Sequence, residues 1–217
     1  MKYPLSWLNE YVSHDLDLSS LVEKLTMAGF EVEEIEHVGE KLSGIYTAKI
    51  EKIIPHPNAD KLVITTVTDG KKSYQVVTGA TNVNEGDIVP LALPGSSIVT
   101  GLTLKEVELR GVPSYGMLCS EKECGASDES TGIWILPNDT PIGIDFIDYA
   151  SLKDTILDIS ILPNRGDCQS IIGLAREIAT LTNTSLKQCE PVIEEKHISH
   201  HFKIKVSDEA FCPAYKG

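Results

Sequence analysis

The chain has 217 residues, 41% of them hydrophobic, and a formal net charge of −13. That length suffices for one or two domains with real cores. No apolar run reaches the length of a membrane span, Met1-Lys2-Tyr3-Pro4 lacks the apolar core of a signal peptide, and the acidic balance argues against a generic, uniformly basic nucleic-acid binder. The five cysteines (Cys119, Cys124, Cys168, Cys189 and Cys212) are an odd set without a framework spacing, which fits reduced thiols in a cytoplasmic protein. Cys119 and Cys124 have no second pair to complete a zinc site, and no metal is expected.

In chain order, Pro4 opens a short helix over 4–12 as a pre-set first-turn residue. A second helix is expected over 18–28, capped by Asp17, with Leu18, Leu21, Val22, Leu25 and Ala28 as its stripe and Gly29 as a left-handed end. Residues 30–38 begin as a strand whose alternation slips near Glu34, the mark of a bulge or an edge. From Gly39–Gly44 to about 149 the pattern turns all-β, with short apolar runs at 45–54, 62–68, 73–77, 88–93, 104–109 and 133–136. Asp69-Gly70 is a strong hairpin signal between two of them. About five short strands over this length suggest a small barrel of the oligonucleotide-binding kind. The helix–strand pattern then resumes. A strand is expected over 154–162, a turn at Pro163-Asn164-Arg165-Gly166, and a helix over 168–182 capped by Asp167.

The expected architecture is therefore α+β: a five-stranded oligonucleotide-binding barrel at 40–150, inserted into a small discontinuous helix/strand domain made of 1–38 and 152–185. Residues 186–200 are charged and aperiodic and read as a linker. Residues 201–217 alternate at first and read as the start of a further domain.

Residues 54–62, Ile54-Pro55-His56-Pro57-Asn58-Ala59-Asp60-Lys61-Leu62, stand out as a rigid corner between two strands. Neither proline can donate to a ladder. Such a corner holds His56, Asn58 and Lys61 together, an imidazole, an amide and an ammonium suited to a phosphate or a base edge. A polar corner without a ligand would use the same residue types. Charge favours the first reading locally. Residues 41–72 carry six lysines (Lys41, Lys49, Lys52, Lys61, Lys71, Lys72) against three carboxylates, a balance of +3, whereas 85–148 carry three cations against eleven carboxylates, a balance of −8. RNA, if bound, should meet the first stretch, with Lys49, Lys52, Lys71 and Lys72 around the corner. Ser114, Tyr115 and Met117 offer a hydroxyl, a ring and an apolar contact to a base, although Met117 reads more naturally as core. Arg165 can read a phosphate or pair with a carboxylate such as Glu177. His197, His200 and His201 read as solvated linker residues. No strand–nucleophile–helix elbow surrounds Ser114, Ser120, His56 or Cys119, so no catalytic residue is expected.

Four stretches, "IIPHPNADKL", "QVVTGATNV", "LALPGS" and "SYGMLCSEKECG", follow in the order and spacing of the tRNA-binding oligonucleotide-binding-fold domain. The flanks "YPLSWLNEYV", "LTMAGFEVEEIE" and "ILPNRGDCQSIIGLAREIATLT" narrow this further. The chain resembles the N-terminal part of the β subunit of bacterial phenylalanyl-tRNA synthetases along its whole length. It departs from the pattern at Thr78, where that family often carries a cysteine. The resemblance implies a non-catalytic tRNA-binding and scaffold region of a ligase that joins phenylalanine to its tRNA. It implies an α subunit as partner in an (αβ)2 tetramer, and ATP and Mg2+ used by the complete ligase but bound by none of these residues. It implies a cytoplasmic location, and an editing domain beginning near 201–217. Two other readings stay open: a stand-alone tRNA-binding protein, and a barrel that serves subunit assembly alone, to which the −8 stretch lends weight.

Overall fold

The computed structural model describes residues 1–129, 131–187, 205–208 and 210–212. Through Lys187 the chain is one compact unit. Its sheets are two main antiparallel ones and a small hairpin. The first has the order β1 (Lys2–Pro4), β10 (Asp154–Ser160), β2 (Glu31–Val38). The second has the order β5 (Ser73–Thr78), β4 (Val63–Thr68), β3 (Ser43–Pro55), β6 (Ile88–Ser97), β9 (Met117–Leu118). The hairpin pairs β7 (Val107–Leu109) with β8 (Val112–Ser114). No helix among the described residues is long and apolar enough to cross a membrane.

The first sheet joins the two ends of this unit. Tyr3 lies opposite Leu157, and Leu157 opposite Ile35. One face of the sheet meets α1 (Leu5–Tyr11), α2 (Leu18–Met27) and α4 (Ile171–Thr182) in a core that includes Tyr3, Leu8, Leu21, Leu25, Phe30, Leu157, Ile159, Leu174 and Ile178. Asp17 caps α2 through Ser20 N at 2.8 Å, and Gly29 follows at φ +90, as the spacing predicts. The slip near Glu34 is a register shift between Asp158 and Ile159 on the partner strand, so β2 carries one extra residue at an edge.

Two boundaries differ from expectation. Pro4 ends β1 and is the N-cap of α1 rather than its first helical residue, because its ψ of 127° is extended. Asp167 does not cap the last helix. It lies in a 3-10 turn, Gly166–Cys168, and is drawn to Arg165. Ser170 takes the capping role, its Oγ accepting from Gly173 N at 3.1 Å. A Cβ at Gly173 would collide with the Asp167 carbonyl, so only glycine lets the helix start flush against that turn.

The second sheet is a curled half-barrel of oligonucleotide-binding-like form. Its backbone is β3, whose 13 residues pair with β6 in their first half and β4 in their second. A bulge at Glu51, between the Ile50–Val67 and Lys52–Thr66 pairs, gives the bend. Ala48, Ile50, Val67, Val76, Val89, Leu91 and Leu118 fill the inside. A further apolar cluster packs Trp134 edge-on against Phe146, with centroids 5.1 Å apart. Phe146 lies on α3 (Phe146–Tyr149), a single turn capped by Asp145. The run at 133–136 is no strand. Leu136 bridges to Ile88 of the sheet, and Ile133 packs against its inner face.

Of the expected linker, Leu186 and Lys187 fold back onto Val12 and Tyr11, with Lys187 N 2.6 Å from the Tyr11 carbonyl. The remainder of that linker and most of the expected further domain, including His197, His200 and His201, lie outside the described residues. In the second unit, Gln188–Gly217, Asp208 accepts from Ala210 N at 3.0 Å.

Candidate nucleic-acid interface

The corner at 55–62 closes on itself through His56 N to the Leu62 carbonyl and Leu62 N to the Ala59 carbonyl, both at 3.2 Å. Its side chains turn toward the β7–β8 hairpin. The His56 ring is 6% exposed. Asn58 N donates to His56 Nδ1 at 3.1 Å, which leaves Nε2 to carry the proton and donate to the Leu109 carbonyl at 3.0 Å. Asn58 Nδ2 donates to the Arg110 carbonyl at 3.1 Å. His56 and Asn58 thus act as a clasp on the hairpin: the His56 ring is spent inside the fold, while exposed Asn58 uses one of its two amide donors. Lys61, in the same turn, is exposed.

The other cations do not gather at this corner. Lys71 and Lys72 sit at the opposite end of β4, six residues and about 20 Å away. There Asp69 organises the hairpin turn, its Oδ1 accepting from Lys71 N at 2.8 Å and Lys72 N at 2.7 Å. Those bonds, the Lys72 amide foremost, hold the Asp69 carboxyl below its ordinary range. Lys49 and Lys52 lie between, opposite Thr68 and Thr66 on the outer face of β3. The lysines therefore form a strip along β3 and β4 rather than a cluster.

Ser114 is 1% exposed and fully engaged: its Oγ accepts from Val77 N at 3.1 Å and donates to the Gly116 carbonyl at 3.0 Å. It closes the barrel between β5 and the segment before β9, with its proton and one lone pair used inside the fold. Tyr115 N joins the same closure through the Gln75 carbonyl at 2.8 Å, while the Tyr115 ring stays 40% exposed. Beside the hairpin runs a groove of about 710 Å³, lined by Thr78, Gly79, Leu102, Lys105, Val107 and Leu109 among others.

Residues 45–145 match the model of a family described as a putative tRNA binding domain. Along its whole length the chain is also similar to beta subunits of phenylalanine--tRNA ligase. It is 44% identical over 217 residues to that of Syntrophus aciditrophicus (99% of this chain, 27% of the relative), 44% over 212 residues to that of Geobacter metallireducens (97% and 26%) and 42% over 221 residues to that of Clostridium acetobutylicum (99% and 28%). The chain spans about a quarter of the length of these relatives.

Within the domain matched at 45–145 the clasp gives a direct stability prediction. His56→Ala removes a buried ring and strands both the Leu109 carbonyl and the Asn58 amide. A loss of about 2 kcal/mol is expected in urea unfolding, from the unsatisfied groups. Asn58→Ala, at an exposed site, should lose about half as much.

Outside that domain, Arg165 holds the turn before α4. Its Nη2 lies 3.0 Å from Asp167 and 2.7 Å from Glu177, and its guanidinium stacks 4.9 Å over the Phe30 ring. The pairing with Glu177 is the one the sequence suggests. Asp167, Cys168 and Glu177 converge in the manner of metal ligands, yet the guanidinium already balances both carboxylates. Burial, aided by the Asp167 hydrogen bond, pushes the Cys168 thiol up to about 11. Hydrogen bonds from Arg165 and then Cys168 hold the Asp167 carboxyl at about 2, against an ordinary 3.8. A depressed carboxyl stabilises the fold fully above its unfolded value and loses that contribution as pH falls through its folded value. The stability difference between the parent chain and Asp167→Asn is therefore expected to be constant above pH 4 and to shrink between pH 4 and about 2, in urea unfolding at stepped pH.

Proposed function

We propose that this chain is the non-catalytic tRNA-binding and scaffold region of a phenylalanine--tRNA ligase beta subunit. The observation that carries this reading is the coincidence of whole-chain similarity to such subunits with a tRNA-binding-family domain at 45–145. In this reading 40–150 form an oligonucleotide-binding barrel inserted into a unit made of 1–38 and 152–185. The pairing of β10 with both β1 and β2, and the separate cores of the two parts, support that division. The complete ligase joins phenylalanine to tRNA in the cytoplasm as an (αβ)2 tetramer with an α subunit, using ATP and Mg2+ bound outside these residues.

The RNA-facing groups in this reading are Lys49, Lys52, Lys61, Lys71 and Lys72 along the strip, with the exposed Tyr115 ring as a stacking surface. His56, Asn58 and Ser114 contribute by holding the backbone that presents them. Footprinting of tRNA on the complete ligase, with and without residues 40–150, tests the proposal. Protection that disappears on deletion of the barrel is the expected result. The acidic balance of 85–148 favours a second reading, a barrel kept for assembly. An unchanged footprint with a dissociating tetramer would establish that reading and remove the first.

A further inference from the structure

We infer that Arg110 is the principal phosphate-binding residue of the barrel, presented by a strained two-residue turn that the His56–Asn58 clasp holds in place, with Lys61 as its companion cation. The inference rests on the proposal that the barrel binds RNA and names the group that does so.

The β7–β8 hairpin is closed by Arg110 and Gly111 alone. Both have positive φ, 52° and 87°. A two-residue turn of this hand favours asparagine, aspartate or glycine at its first position. An arginine there carries a Cβ strain of about 1–2 kcal/mol. Stability alone would place asparagine at 110, so the side chain at that position answers to something other than the fold. It has no internal role to offset the strain. Arg110 is exposed, and among the described residues it forms no ion pair, whereas Arg165 binds two carboxylates.

The turn is also fixed from outside the hairpin. His56 Nε2 holds the Leu109 carbonyl and Asn58 Nδ2 the Arg110 carbonyl, 3.0 and 3.1 Å away. A Cβ built on Gly111 would lie only 3.5 Å from Asn58 Nδ2, so this backbone sits close against the clasp. Two side chains from a corner about 50 residues upstream in the chain therefore immobilise the tip that carries one guanidinium. The same corner carries Lys61, three positions after Asn58. Glu108 on β7 and Glu106 just before it would repel an anion laid along the strand, which leaves the tip that carries Arg110 as the place for an anion. A planar guanidinium suits the paired oxygens of an RNA phosphodiester, and Lys61 is an exposed cation of the corner that clasps this tip.

The test is binding of a tRNA transcript to the complete ligase between 50 and 200 mM KCl, for the parent and for Arg110→Asn and Arg110→Lys. Arg110→Asn suits the turn better, so its unfolding midpoint should hold or rise. Its affinity should fall and its log–log salt slope should drop by about one unit, which narrows the parent's advantage roughly threefold across that salt range. Arg110→Lys should restore the slope. Affinity and slope of Arg110→Asn equal to the parent's would overturn the assignment while leaving RNA binding by the strip intact. A slope that Arg110→Lys fails to restore would also overturn it. A barrel that leaves no footprint on tRNA in the parent ligase would remove the RNA reading itself, and this inference with it.

Discussion

Replacing Lys52 and Lys61 together by alanine is expected to lower the salt slope of tRNA binding by about two units, if each lysine touches a phosphate. Both ammonium groups are exposed, and neither forms an ion pair among the described residues. Lys52 stands just past the bulge of β3, opposite Thr66, and Lys61 in the closed corner. A chain of net charge −13 gains nothing from its overall field, so attraction to RNA must come from such local cations. Two counterions released amount to roughly a tenfold change in affinity between 50 and 200 mM salt. The double variant should therefore approach the parent at high salt and fall furthest behind at low salt. Lys71 and Lys72 lie about 20 Å away across β4, so their replacement should act additively with the first pair. Titration of the complete ligase measures this. An unchanged affinity and slope would show the strip idle and leave assembly as the barrel's role.

What the sequence made legible was mostly local and periodic. The stripe of α2, its Asp17 cap, the Asp69-Gly70 turn and the bulge beside Glu34 each depend on neighbours a few residues apart. The whole-chain resemblance agrees with the relatives to which the chain is similar, for the same reason of dense local motifs. The reach of side chains across the fold was not legible. His56 looks like a surface imidazole until the hairpin 53 residues away covers it. Ser114 looks like a hydroxyl in a polar loop until the barrel closes and the Val77 amide lacks a ladder partner. The short helix at Phe146–Tyr149 has too few residues to show a period. Asp167 and Ser170 are both good caps, and only the placement of Arg165 decides between them. Arg110 left one signal, a single residue before a glycine between two short β-capable triplets, and it is easily read as the end of one longer strand.

The closure of the barrel yields the second large effect. Gly116→Ala is expected to destabilise the domain by on the order of 3–4 kcal/mol, a large share of the stability of an ordinary domain. Gly116 has φ +143, and a Cβ there would meet the Ala92 carbonyl at 2.7 Å and Leu91 Cδ1 at 3.3 Å. The obstacle is β6 backbone, which cannot rotate away. The segment would have to lift off the sheet. With it would go the Tyr115 amide bond to Gln75 and the Ser114 bonds to Val77 and Gly116. Gly86 supplies the control, with φ +97 and nothing within 4 Å, so Gly86→Ala carries backbone strain alone, about 1 kcal/mol. Amide exchange separates the two. In Gly116→Ala the amides of β5 and β9 should lose protection while those of β10 and α4, which belong to the other core, keep theirs. Equal losses in the two variants would mean that the close approach to β6 does not hold the barrel shut.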